Sequence, residues 1–113
     1  VPPRLAVVKG TLDVLVLRAL ARRAMHGFEV ATWLEERSDR ALDLDDSALY
    51  QALYRLEQRG LITAEWGVTA NNRRARYYGL TDAGVDHLRQ ETAVWLRYAA
   101  TVTRILTDPQ PAA

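Results

Sequence analysis

The sequence predicts a mainly α fold that carries one small β-hairpin and ends in a long helix. Three features predict it. Four stretches place apolar residues at helical spacing. One pair of segments, "LITAEW" and "ARYYGL", has the character of a strand and its return. From Val85 to Leu106, apolar or small residues recur three and four positions apart without interruption.

The first helix is expected in "GTLDVLVLRALAR", Gly10 to Arg22, which is apolar on nearly every side. Leu12, Leu15, Val16 and Ala19 make one stripe, and Val14, Leu17 and Ala21 a second. A helix of this kind is covered on more than one side, and in so small a domain the second cover is expected from another subunit. Gly27, in "RRAMHG", can take a positive φ and break the helix cheaply, with His26 shaping the turn. "FEVATWLEERS" then reads as a short second helix with Val30, Ala31 and Leu34 inward.

"ALDLDDSALYQALYRLEQRG" holds the third helix, with Asp46 or Ser47 as N-cap and Gly60 at the C′ position. Leu49, Leu53 and Leu56 form its apolar face. The opposite face carries Ser47, Tyr50, Gln51, Tyr54 and Gln58, with Arg55 at the flank, and no carboxylate, because Glu57 points elsewhere.

In "LITAEW", Ile62, Ala64 and Trp66 alternate with Thr63 and Glu65, the mark of a half-buried strand. Asn72, Arg73, Arg74 and Arg76 therefore fall at the tip and return edge of a hairpin. Tyr77 and Tyr78 point to opposite faces of the return strand, so at least one belongs to the core. Thr81 is the expected N-cap of the last helix. Val85, Leu88, Thr92, Trp95, Ala99, Val102 and Leu106 follow as a heptad seam on a helix roughly 37 Å long. The rest of the domain cannot cover that length, so the seam is expected to pair with another helix.

Composition narrows the function. The 113 residues fit one domain with a modest core, which an apolar surface shared with a second copy would extend. The formal net charge is +1, which excludes a surface that is basic all over but not a local patch. Glu35 to Asp46 hold six carboxylates against two arginines, so acid and base are separated along the chain. That acidic run reads as a solvated connection between elements. Absence of cysteine removes disulfides and thiolate chemistry. His26 and His87 stand on different elements, so no metal site and no cofactor are expected. No Gly-rich phosphate loop or Ser/His/Asp ordering suggests an enzyme. No run approaches the ~18 apolar residues of a membrane span and no signal-peptide layout is present, so a cytoplasmic protein is expected. Pro2, Pro3, Pro109 and Pro111 make both ends prone to fray.

Three helices followed by a hairpin is the order of a winged helix-turn-helix, in which the third helix enters the major groove and the hairpin lies on the backbone. The residues fit that use. Tyr50 and Tyr54, one turn apart, can donate to phosphates or stack on sugars, while Ser47 and Gln51 can reach base edges. Arg73 and Arg74 supply sequence-independent attraction, and Arg55, Asn72 and Arg76 complete the DNA-binding set. An arginine-rich hairpin tip by itself would read as solvated surface. Its place after a carboxylate-free helix face makes contact with double-stranded DNA the competing expectation.

The same stretches resemble the PadR family of transcriptional regulators from Leu5 to Leu106. The residues that carry the resemblance are "KGTLDVLVLRAL", "HGFEV", "SALYQALYRLEQRGLI", "EWG", "RRARYYGLTDAG" and Trp95. "EWGVTANNRRARYY" is similar to a short-chain subgroup found in acidobacterial genomes. The resemblance implies a winged helix-turn-helix over residues 1–80 and a dimerisation helix with a frayed tail over 81–113. It also implies a homodimer and repression of nearby genes. Many relatives have proline where Gln51 stands; glutamine there either reads adenine or is neutral, since proline near a helix start is tolerated anyway. Trp95 has two readings. It fills a heptad position in a dimer core, or, as in relatives that bind flat aromatic drugs between subunits, it stacks on a planar aromatic effector beside the small Thr92 and Ala99. Two other functions remain in view: a protein-interaction module that does not bind DNA, and a hydrophobic small-molecule-binding dimer.

Overall fold

A computed structural model describes residues 3–111; Pro2, one of the expected fraying prolines, lies outside them. Four helices and two small sheets are present among the described residues. In chain order they are β1 (Leu5–Ala6), α1 (Leu12–Leu20), β2 (Met25–His26), α2 (Gly27–Arg37), β3 (Leu42–Asp43), α3 (Asp46–Gln58), β4 (Ile62–Val68), β5 (Arg74–Leu80) and α4 (Asp82–Leu106).

α1 is shorter than its composition suggested. Gly10 takes φ +90 before it, and Ala21 is an exposed C-cap rather than part of an inner stripe. Val16, Leu17, Ala19 and Leu20 are buried, while Leu12 and Leu15 pack against the edge of the core. Gly27 does not break the chain with a positive φ. It is the first residue of α2, and the break falls before it, where Met25 and His26 pair with Tyr78 and Tyr77 of β5. His26 caps α2: its Nδ1 accepts from the Glu29 N–H at 3.3 Å, and the Glu29 carboxylate accepts from the His26 N–H at 3.2 Å. This reciprocal box satisfies two donors that a helix start leaves unpaired.

α3 begins one residue earlier than Asp46 as N-cap would give, and two earlier than Ser47 would. Asp45, extended at φ −91 and ψ 123, is the N-cap, and its carboxylate accepts from the Ala48 N–H at 3.2 Å. Asp46 and Ser47 are already helical, which leaves Ser47 exposed in the first turn. Gly60, at φ +73, closes the other end as expected. The acidic run before α3 is partly structured. Leu42 and Asp43 pair in parallel with Leu5 and Ala6, and Arg4 donates to both Glu35 and the Leu42 carbonyl.

The hairpin belongs to a three-stranded antiparallel sheet in the order β2-β5-β4. The two-residue β2 is too short to show any period in the sequence. Tyr78 is the buried tyrosine of β5, as the alternation required of one of the pair, and burial raises its pKa. The core lies between α1, α2, α3 and this sheet, with Leu17, Leu49, Leu53, Leu56 and Ile62 at its centre.

α4 starts at Thr81, whose hydroxyl accepts from the Gly84 N–H at 3.0 Å and donates to the Gly60 carbonyl at 2.8 Å. One side chain therefore joins the end of α3 to the start of α4. The helix runs 25 residues, and the molecule measures 65 × 35 × 20 Å, so α4 projects past the globular part. Leu88 faces its own core. Val85, Val94, Trp95, Leu96, Tyr98, Ile105 and Leu106 are exposed, an arc broader than the heptad seam alone.

Candidate nucleic-acid interface

Two concavities meet at one tyrosine. A shallow groove along α3 is lined by Ser47, Tyr50, Gln51, Tyr54 and Arg55. A cleft of about 600 Å³ opens between the start of α2 and the hairpin, and is lined by Gly27, Phe28, Tyr50, Trp66, Arg73, Arg74 and Arg76 among others. Tyr50 belongs to both. The outer face of α3 from Ser47 to Gln58 carries no carboxylate, and the exposed Asp46 stands at its N-terminal edge.

The hairpin tip is held by its own backbone and one side chain. Thr69 N–H donates to the Arg73 carbonyl at 2.8 Å, Arg73 N–H to the Thr69 hydroxyl at 3.2 Å, and Asn72 N–H to the Thr69 carbonyl at 2.9 Å. Asn72 takes φ +60, a conformation asparagine tolerates well, and sits exposed at the tip rather than in the cleft.

The arginines differ in their partners. Arg55 donates to Asp13 of α1 at 2.7 Å, and Arg76 donates to Glu57 of α3 at 2.7 Å. Arg73 and Arg74 have no carboxylate partner among the described residues, and the Arg74 guanidinium lies 4.5 Å from the centre of the Trp66 ring. Full positive charge is thus presented at the tip of the hairpin and partly neutralised lower down. Gln51 Nε2 donates to the Ser47 hydroxyl at 3.4 Å, so these two polar groups stand together on the groove floor.

Two aromatic residues of this surface escape sequence reasoning. Phe28 is 72% exposed at the start of α2, and Trp66 is 63% exposed although the strand alternation places it on the core side. Ile62 and Ala64 reach the core from that face; Trp66 lies past the core edge and faces the cleft instead. The roles of Asp13 and Glu57 are not visible from helix faces either, because each acts through an arginine on another element.

The other expected site lies on α4. Trp95, 39% exposed, lines an apolar groove of about 320 Å³ with Leu5, Val8, Val14, Leu15 and Leu42 of its own chain. Thr92 and Ala99 do not line it. Among the described residues, no group of three or more His, Asp and Glu side chains could hold a metal ion. No described helix is long and apolar enough to cross a membrane.

The helix order, the three-stranded sheet and the hairpin beside α3 define a winged helix-turn-helix protein. The sequence profile of the transcriptional regulator PadR-like family matches residues 16–90, and the chain belongs to that family. Solved relatives agree. A PadR family transcriptional regulator from Eggerthella lenta is 30% identical with a TM-score of 0.72, covering 89% of this chain and 86% of its own. A PadR family transcription regulator from Clostridium difficile is 27% identical at TM-score 0.74, over 86% of this chain and 99% of its own. A PadR-like transcriptional regulator from Bacillus cereus superposes at TM-score 0.76 with 23% identity, over 89% and 96%, and supports the fold. The family consists of DNA-binding transcriptional regulators, not enzymes.

Proposed function

We propose that this chain is a cytoplasmic, homodimeric repressor that seats α3 in the major groove and lays its hairpin wing on the phosphate backbone. The observation that carries the reading is the continuity of the α3 groove with the wing cleft through Tyr50. A duplex edge entering one concavity meets the other. Arg73 and Arg74 attract the backbone regardless of sequence, and Ser47 and Gln51 stand where base edges pass. Residues 1–80 make the reading head, and 81–113 the dimerisation helix with its tail. Dimerisation is supported by the exposed apolar side chains of α4, which a lone chain leaves in water. Two copies would present two third helices to successive major grooves, and their bound presence would deny the site to other proteins. Gel shift of genomic fragments selected by the protein, repeated over a salt series, tests this. Binding of no duplex at low salt would leave the protein-interaction reading in its place.

A second reading, a planar aromatic effector, draws on the apolar groove beside Trp95. A ligand there would touch both α4 and α1 and act by favouring a dimer whose third helices are wrongly spaced.

A further inference from the structure

The Glu57–Arg76 pair occupies a particular place. α3 and the wing are joined covalently only at one end, through the turn around Gly60 and Leu61. Away from that junction, the Arg76–Glu57 contact is the one side-chain hydrogen bond between α3 and the β4–β5 hairpin among the described residues. Glu57 stands in the last turn of α3 with its side chain 24% exposed, and accepts from Arg76 at 2.7 Å. Arg76 is opposite Trp66 in the hairpin register, and its guanidinium lies 5.7 Å from the centre of the buried Tyr78 ring. Its position is therefore fixed from two sides, by a carboxylate and by a ring held in the core.

We infer that Glu57 is a positioning residue for DNA binding, which holds the wing at its working angle to α3 through Arg76. The inference rests on the DNA-binding reading for its consequence, but the brace itself is a property of the free protein. Simple charge counting gives the opposite sign: a carboxylate next to a phosphate-binding surface repels DNA, and its removal should tighten binding and free Arg76 for a phosphate. The brace reading says that losing Glu57 lets the hairpin swing in the free protein, so that binding must first restore the angle at which Arg73 and Arg74 meet the backbone, with the same phosphates contacted in the complex. The two accounts predict changes of opposite direction.

The test compares Glu57→Ala, Glu57→Gln and the exchange Glu57→Arg with Arg76→Glu against the wild-type chain. Duplex affinity is measured over a potassium chloride series, and amide exchange is followed across residues 62–80 without DNA. Glu57→Ala should weaken binding roughly fivefold, about the worth of one partly exposed ion pair, with the salt slope unchanged. Glu57→Gln, which keeps an acceptor oxygen, should lose less, and the exchange variant should recover most of the loss. Amide exchange in the outer part of the hairpin should rise in Glu57→Ala, while α1 keeps its protection. Tighter binding with a salt slope steeper by about one unit would overturn the inference, because Arg76 would then be a phosphate ligand that Glu57 masks. Unchanged affinity and unchanged exchange would overturn it as well. Should the wild-type chain bind no duplex while exchange still rises in Glu57→Ala, the brace stands and the DNA-binding reading fails.

Discussion

The Tyr50 ring occupies the space that a side chain on Gly27 would need. A Cβ built on Gly27 meets Tyr50 Cε1 at 2.6 Å and its hydroxyl oxygen at 2.7 Å. The absent side chain forms a slot that seats the one tyrosine shared by both concavities. Gly27→Ala should turn the Tyr50 ring away and weaken duplex binding several-fold. Helix propensity alone predicts the reverse for the fold, a gain of up to ~1 kcal/mol at a helix position. A variant whose thermal midpoint is unchanged or higher and whose DNA affinity falls would separate the two effects. Unchanged affinity would remove Tyr50 from the interface.

The wing and α3 should fail differently. Arg73→Ala with Arg74→Ala should weaken binding to every sequence and flatten the salt dependence by roughly two phosphate units per protomer. Gln51→Ala should cost ~1–3 kcal/mol on the preferred site and little on random duplex, if the amide reads a base. Equal losses on both duplexes would assign Gln51 to the groove floor with no part in specificity.

Much of this surface is legible in the sequence, and the part that is not has a common cause. The α3 faces, the wing position and the Gly60 terminus follow from local spacing, which a single element displays in its own residues. Trp66 and Phe28 do not, because their exposure depends on where the core ends. Asp13 and Glu57 do not either, since each takes its role from an arginine on another element, 42 and 19 positions away respectively. β2 has two residues and borrows its conformation from β5. The heptad seam was legible as a pattern, yet Leu88 on that seam turns to its own core. Periodicity shows which residues share a face, while the identity of the partner lies outside it.

Acid should loosen the start of α2. Burial alone would raise the pKa of Glu29, but hydrogen bonds from Arg23 and from the His26 N–H, with their charges, outweigh it and leave the value lowered. A lowered folded-state pKa contributes stability that is complete above the ordinary carboxylate range and lost as pH falls through the lowered value. Glu29→Gln should therefore reduce the thermal midpoint at neutral pH and narrow its difference from wild type as the pH falls below ~4. A difference that stays constant from pH 7 to pH 3 would show that the charge contributes nothing.

Gly84 is the one buried residue of α4, and a Cβ there would be driven into the Leu61 carbonyl oxygen. That oxygen already accepts from the Thr81 N–H at 3.1 Å, so it cannot move without disturbing the helix start. Gly84→Ala should lose ~1–3 kcal/mol by overpacking despite the better helix propensity of alanine. Urea unfolding reads the change; a stabilised variant would mean that α4 can shift freely against the β4 junction.

The two readings of Trp95 on α4 separate under charge substitution and ligand titration. In one chain Val94 and Ile105 are 61% and 68% exposed, so charging them leaves the protomer core untouched. Fully burying such side chains is worth ~1.5–3 kcal/mol each, which is the scale on which a second copy would gain by covering them. The wild type should sediment as a dimer, and Val94→Glu with Ile105→Glu as a monomer at the same concentration. Leu88 is unsuited to this purpose, because its partial burial against the core would mix unfolding with dissociation. Trp95 lies beside these residues, yet its groove is built from its own chain, against Val14 and Leu15. If a planar aromatic compound occupies that groove, indole fluorescence of the wild type should be quenched on titration. Trp95→Ala should lose the response while still sedimenting as a dimer and binding DNA. Trp33 and Trp66 remain in the variant and provide the internal reference. Dissociation of Trp95→Ala, with no quenching in the wild type, would make the indole a packing residue of the dimer and remove the effector reading.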